Sequence, residues 1–193
     1  EEETPGIDFI IPNTTYLEEN KSKVKALIIT HAHLDHIGGI PYLMNKIGNP
    51  PIYTTKLTEE MIKKRQEEVP NAARLSFQNV NPGDSTKLGQ YFSAEFFAVT
   101  HTIPDSIGII LETPVGRVLH PGEYKLDTNT LGESQTLETL RKIGKKKIQV
   151  LLQDSTNAER PGSSIPEETV HKNIEMLFKN ANGRIILGTF ASN

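Results

Sequence analysis

The chain has 193 residues, 36% hydrophobic and 23% charged, with a formal net charge of −3. That length suits one ordinary domain with a real core, and the composition is that of a soluble globular protein. The weak negative charge excludes a global attraction to nucleic acid, the lack of cysteine excludes disulfides and thiolate metal sites, and no apolar run approaches the roughly 18 residues of a membrane span. A cysteine-free chain with no visible signal peptide is expected in the cytoplasm, without a membrane partner. The first residues, EEETPG, lack an initiator Met, and the last, GTFASN, follow directly on a strand-like run. Both ends predict a segment of a longer protein.

In chain order, KALIIT (25–30) reads as a short strand, and IGGIPYLMNKIG from 37 has helical spacing at Ile40, Leu43, Met44 and Ile47, stopping at Gly48. PPIYTT is a short strand, and LTEEMIKKRQEE is a charged helix, solvated on most of its surface. From Leu75 to Thr100 the pattern gives three strands with turns at NPGD and near Gln90. SIGIILET and GRVLH form a hairpin over 106–120, joined at Pro114–Gly116. SQTLETLRKIG carries a Ser N-cap and a Gly stop. IQVLLQD reads as a buried-type strand, PEETVHKNIEMLFKN as a helix with Pro near its first turn, and RIILGTF as a final strand. The mixture predicts helices layered on sheet, an α/β or α+β class.

The densest chemistry is HAHLDHIGG (31–39), which begins where KALIIT stops. Three of the six histidines fall within six positions, with Asp35 among them. His31 and His33, two apart in extended backbone, project to one side. Asp35 and His36 follow in the turn before a helix and can face the same point. Imidazoles and a carboxylate without sulfur suit Zn²⁺, and also Mn²⁺ or Fe²⁺. Four ligands in so short a span cannot surround one ion. Two divalent metal ions about 3.5–4 Å apart, each completed from elsewhere in the chain, is the better geometry for hydrolysis.

Completing ligands are expected at later strand ends. His101 follows the apolar run FFAVT just as His31 follows KALIIT. Of His120 and Glu123 in VLHPGEYK, Glu123 is the candidate bridging carboxylate and His120 a structural neighbour. His171 lies mid-helix among charged residues and reads as surface. Asp154, after VLLQ, either reaches the same site or is a turn residue. The Lys-rich stretches KSKVK (21–25) and RKIGKKK (141–147) read as solvated helix ends and loops rather than as a polyanion contact.

HAHLDHIGG resembles the signature of the metallo-β-lactamase superfamily. HTIPDS (101–106), PGEYKLD (121–127), LLQDSTNAERPG (151–162) and TFASN (189–193) are similar, in order, to blocks of the RNase J branch of the β-CASP ribonucleases. PGIDFIIPNTTYLEEN and the IGGIPYLM helix are similar to that branch as well. The resemblance implies an αββα sandwich with a dinuclear site at one sheet edge, most simply two Zn²⁺, with Mn²⁺ as the other choice. It implies His31, His33 and His101 on one metal, Asp35 and His36 on the other, and Glu123 bridging. Asp154 would orient a histidine supplied by the β-CASP domain. The implied reaction is hydrolysis of RNA phosphodiester bonds, endonucleolytic and 5′-to-3′ exonucleolytic, by a metal-activated hydroxide. The intact protein is expected to bind RNA and to be a homo-oligomer.

Two departures stand out. The bridging position is normally Asp in a TGDFK-like block, whereas this chain has Glu123 in PGEYK, one methylene longer. Residues 1–187 are expected to form a metallo-β-lactamase domain lacking its first strands, and 188–193 to open the β-CASP domain. The last ligand histidine and the RNA grip would then lie beyond Asn193, and the 193-residue chain alone would be inactive. Two other readings remain open: a metallo-β-lactamase-fold hydrolase of a small ester or thioester, and a non-catalytic RNA-binding or assembly subunit with a decayed site.

Overall fold

The computed structural model describes residues 6–7, 10–126, 134–162 and 165–189. The chain forms two units, Glu1–Val80 and Asn81–Asn193, both of mixed α/β character.

The first unit is built on a parallel three-stranded sheet. It opens with α1 (Thr15–Glu19), and β1 (Leu27–Ile28) then leads into two short helices, α2 (Leu34–Ile37) and α3 (Ile40–Leu43). After them come β2 (Ile52–Thr54), α4 (Lys56–Glu67) and β3 (Phe77–Asn79), and the strand order is β1-β2-β3. Parallel neighbours need a crossover, and α4 supplies it between β2 and β3. The spacing read as one helix from 37 is divided at Gly38–Gly39, and Pro41 fits the first turn of α3 because that turn leaves its amides unbonded. Ile40, Met44 and Ile47 are buried as their spacing predicts, and Gly48, at φ +91°, ends the helical stretch.

One charged residue of α4 stands apart from its largely solvated surface. Glu59 is buried, accepts a 2.6 Å bond from Asn79 Nδ2, and pairs with Lys63 and Lys56. Lys63 above all, then Asn79 and Lys56, hold its carboxyl at about 2 against burial, which pushes it up. Because the folded pKa lies below the ordinary 4.5, this stabilisation is whole above about pH 4.5 and is lost as pH falls toward 2. Glu59→Gln is therefore expected to flatten the acid limb of denaturation midpoint against pH in that window. An unchanged limb would show that other carboxylates govern acid unfolding.

The second unit carries a five-stranded sheet of β4 (Ser85–Leu88), β5 (Phe92–Ala98), β6 (Ile107–Thr113), β7 (Gly116–His120) and β8 (Val150–Leu151), in that order. β4 to β7 are antiparallel neighbours and β8 joins β7 in parallel. The β6–β7 hairpin turns where the sequence places it, and the Thr113 hydroxyl donates to Gly116 O at 2.7 Å across the turn. Helix α5 (Gln135–Ile143) starts at the Ser134 N-cap, whose hydroxyl accepts from Leu137 N at 3.3 Å. Its Ile143 joins Phe97, Val99, Ile110 and Leu119 in a buried cluster, with Tyr124, Leu140 and Ile148 packed against it.

The end of the chain departs from its sequence pattern. IQVLLQD was expected as a buried strand, yet the strand spans only Val150–Leu151, flanked by Gln149 and Leu152 amides that bond β7, and Val150, Leu151 and Leu152 are exposed. β8 is the outermost strand among the described residues, and its apolar side chains lack the cover over the sheet faces that such a run anticipates. The expected strand RIILGTF does not form over residues 184–189, and Phe190 lies outside the described residues. A β-prone run becomes a strand only with a neighbour to bond, and Ile185, Ile186 and Leu187 are exposed instead. Between them α6 (Glu167–Asn180) forms as expected, with Ile174, Leu177 and Phe178 exposed along one stripe. Among the described residues no helix is long and apolar enough to cross a membrane.

Candidate metal centre

In the first unit the histidine-rich stretch lies where β1 gives out. Ile29 still belongs to the ladder, its amide donating to Tyr53 O at 3.0 Å, and the buried Thr54 hydroxyl donates to Ile29 O at 2.9 Å. Beyond that clamp the chain leaves the sheet at Thr30 and enters α2 through His33, whose extended φ/ψ places it at the N-cap position. The expected convergence of the imidazoles is present. His31 and His33 rings meet edge-on with centroids 4.8 Å apart, and His31 and His36 lie at 4.2 Å. Asp35 Oδ2 is 3.6 Å from His36 Nε2. His31 is fully buried, His33 is half-buried, and Asp35 and His36 are exposed on the helical turn.

In the second unit His101 and Glu123 come together, His101 Nε2 lying 3.0 Å from Glu123 Oε2. They belong to two loops that follow β5 and β7. Thr100 fixes the first loop: its amide donates to the buried Thr136 hydroxyl on α5 at 2.9 Å, and its carbonyl accepts from Lys125 N at 2.7 Å. The loop then turns through Ile103–Ser106, where Ser106 Oγ donates to Ile103 O at 3.0 Å. The second loop passes through Gly122 at φ +66°, and His120 Nδ1 accepts the Gly122 amide at 3.3 Å, the structural role expected of it. Lys125 also pairs with Glu167 at the start of α6.

Asp154 is exposed and accepts from the Thr156 amide at 2.9 Å and the Thr156 hydroxyl at 2.7 Å. Those bonds hold its carboxyl below the ordinary carboxylate range, with a smaller contribution from His101. The turn role left open by the sequence is therefore present, and the field of His101 reaches the same carboxylate. His171 is exposed on α6, as read. Thr30, Thr54 and Thr136 were missed as supporting residues, because a threonine at a strand end or on a helix carries no signal of the bond it makes.

Each unit thus presents imidazole and carboxylate donors within a few ångströms of one another, a hard-to-borderline set that suits a divalent cation. Neither set alone fills the coordination of an ion.

A family model described as the metallo-beta-lactamase superfamily matches residues 5–130. A protein named Ribonuclease J from Thermus thermophilus is 38% identical over 200 aligned residues, covering 100% of this chain and 35% of that protein. One of the same name from Mycoplasma pneumoniae is 40% identical over 188 residues, covering 97% of this chain and 33% of its own length. The chain spans about a third of the length of these curated relatives. Among solved structures, a protein of unknown function from Enterococcus faecalis aligns with TM-score 0.59 at 20% identity, covering 80% of this chain and 39% of the other.

Proposed function

We propose that this chain, which belongs to the metallo-beta-lactamase superfamily, carries metal ligands of a metal-dependent ribonuclease of the ribonuclease J kind. The observation that carries the reading is its 38–40% identity, along essentially its whole length, to proteins named Ribonuclease J. The donor sets at His31–His36 and at His101–Glu123 agree with it chemically.

In this reading His31, His33 and His101 would hold one divalent ion and Asp35 and His36 the second, with Glu123 the carboxylate that would be shared between them. Zn²⁺ suits the donors best, and Mn²⁺ is the alternative. When bound, two such ions supply Lewis acidity to a phosphodiester and lower the pKa of water. The chain's own part is to hold the donors in place. Thr54 and Thr136 fix the two strand ends, Gly122 lets the second loop turn back, and Thr156 bonds the Asp154 carboxylate in its turn. Asp154 then orients a histidine from a β-CASP domain that begins near residue 188. The activity is endonucleolytic and 5′-to-3′ exonucleolytic on RNA, carried out in the cytoplasm by a homo-oligomer.

The test is cleavage of a 5′-monophosphorylated RNA by the purified intact protein of which these 193 residues are the expected segment, beside a small thioester and after treatment with a chelator. Cleavage of the RNA only, abolished by chelation and restored by Zn²⁺ or Mn²⁺, is the expected result. Full RNA cleavage after chelation would sink the metal mechanism, and thioester hydrolysis without RNA cleavage would move the substrate away from RNA.

A further inference from the structure

His31 is fully buried, at the point where β1 ends, and its Nδ1 lies 3.0 Å from the hydroxyl oxygen of the preceding residue, Thr30, itself buried. A neutral imidazole has one nitrogen that donates and one that accepts, so whatever bonds Nδ1 decides what Nε2 can do. A cation can be held only by a nitrogen whose lone pair is free of a proton. If Nδ1–H donates to Thr30 Oγ1, the lone pair is on Nε2. If the hydroxyl donates to Nδ1 instead, Nε2 carries the hydrogen and cannot ligate. The backbone leaves Thr30 little freedom to drift, because Thr54 and Tyr53 hold Ile29 immediately before it.

We propose that Thr30 is a positioning residue: its hydroxyl accepts from Nδ1–H of His31, fixing the imidazole in the tautomer whose Nε2 is open to a divalent cation. The proposal rests on the metal-centre reading above and assigns a role to a side chain outside the ligand set. Partners that fix the tautomer of a ligating histidine are worth about 10–100-fold in metal affinity when removed.

The variants are Thr30→Val, which keeps the shape and loses the oxygen, and Thr30→Ser, which keeps the oxygen and loses the methyl. Purified wild-type and variant proteins, labelled with ¹⁵N at histidine and stripped of metal, are compared by ring-nitrogen NMR at one fixed pH. Zn²⁺ affinity is then measured by competition with a chromophoric chelator. Circular dichroism confirms that each variant is folded.

The expected result is a His31 with Nδ1 protonated in wild type and in Thr30→Ser, and a shift toward the Nε2–H form in Thr30→Val. Zn²⁺ affinity should fall about 10–100-fold in Thr30→Val and be largely restored in Thr30→Ser. An unchanged tautomer and unchanged affinity in Thr30→Val would overturn the proposal, as would an Nε2–H ring in wild type. Should wild type take up no Zn²⁺, the metal-centre reading fails, and the NMR tautomer still decides whether Thr30 sets the ring. If Thr30→Val does not fold, loss of the Nδ1–H signal or of affinity in Thr30→Ser overturns the proposal by itself.

Discussion

In the intact protein, under the proposed function, His33→Ala is expected to lower RNA cleavage by more than about a hundredfold, beyond the range for residues that merely support a ligand. His33 is the informative choice among the clustered histidines. It is half-buried at the entry to α2 and makes no side-chain cap bond, so truncating it leaves packing and helix start nearly intact. His31 is fully buried, and its removal would mix a ligand effect with a cavity effect. Single-turnover cleavage with metal stoichiometry on the same sample checks the result, and His171→Ala, exposed on α6, serves as the matched control. A His33→Ala protein that binds its full complement of metal and cleaves RNA at the wild-type rate removes His33 from the centre.

The second large effect is structural. Gly108 stands opposite Phe97 in the β5–β6 register, and a Cβ built there would lie 2.2 Å from the ring Cζ and 2.5 Å from Cε2. The ring lies across the glycine. Phe97 cannot retreat cheaply, because it is packed with Val99, Ile110, Leu119 and Ile143. Gly108→Val should therefore destabilise by at least about 1–3 kcal/mol, the usual cost of overpacking a filled core. Urea denaturation should show a lower midpoint with an unchanged slope. Trimming the ring in Phe97→Leu should relieve part of the penalty in the double variant, because the two residues share one space. A Gly108→Val midpoint equal to wild type would mean that the ring moves aside without cost. Because β5 also delivers Thr100 and His101, the same substitution is expected to weaken metal binding even where the protein stays folded.

The two cases show which parts of the molecule were legible from the residues. Strands β4 to β7 and the Ser134-capped helix follow local rules, namely alternation, turn chemistry and a capping hydroxyl, and they form as read. The clustering of the imidazoles was legible for the same reason, since His31 to His36 need only a short loop to meet. The meeting of His101 with Glu123 was inferable only from two strands ending alike. The chain end was misread because a strand is not a local object. IQVLLQD and RIILGTF have the right side chains, but burial and pairing depend on neighbours that periodicity does not reveal. Glu59 carries no such local signal either: the helix reads as solvated on most of its surface, and it is Asn79, twenty positions away in sequence, that bonds this one carboxylate in a buried site.

Under the metal-centre proposal, the compactness of the His31–His36 cluster sets how far a bound ion would stabilise the protein. A ligand adds stability according to how much better it binds the native chain than the unfolded one. Four donors within six residues remain near one another when the sheet is gone, since a loop of about ten residues closes in roughly 10–100 ns. The unfolded chain is thus itself a weak chelator, and the thermal protection given by a cation falls short of what its native affinity implies. His101 and Glu123 meet only once β5, β6 and β7 are assembled, so their share of the binding energy works against unfolding with no such discount.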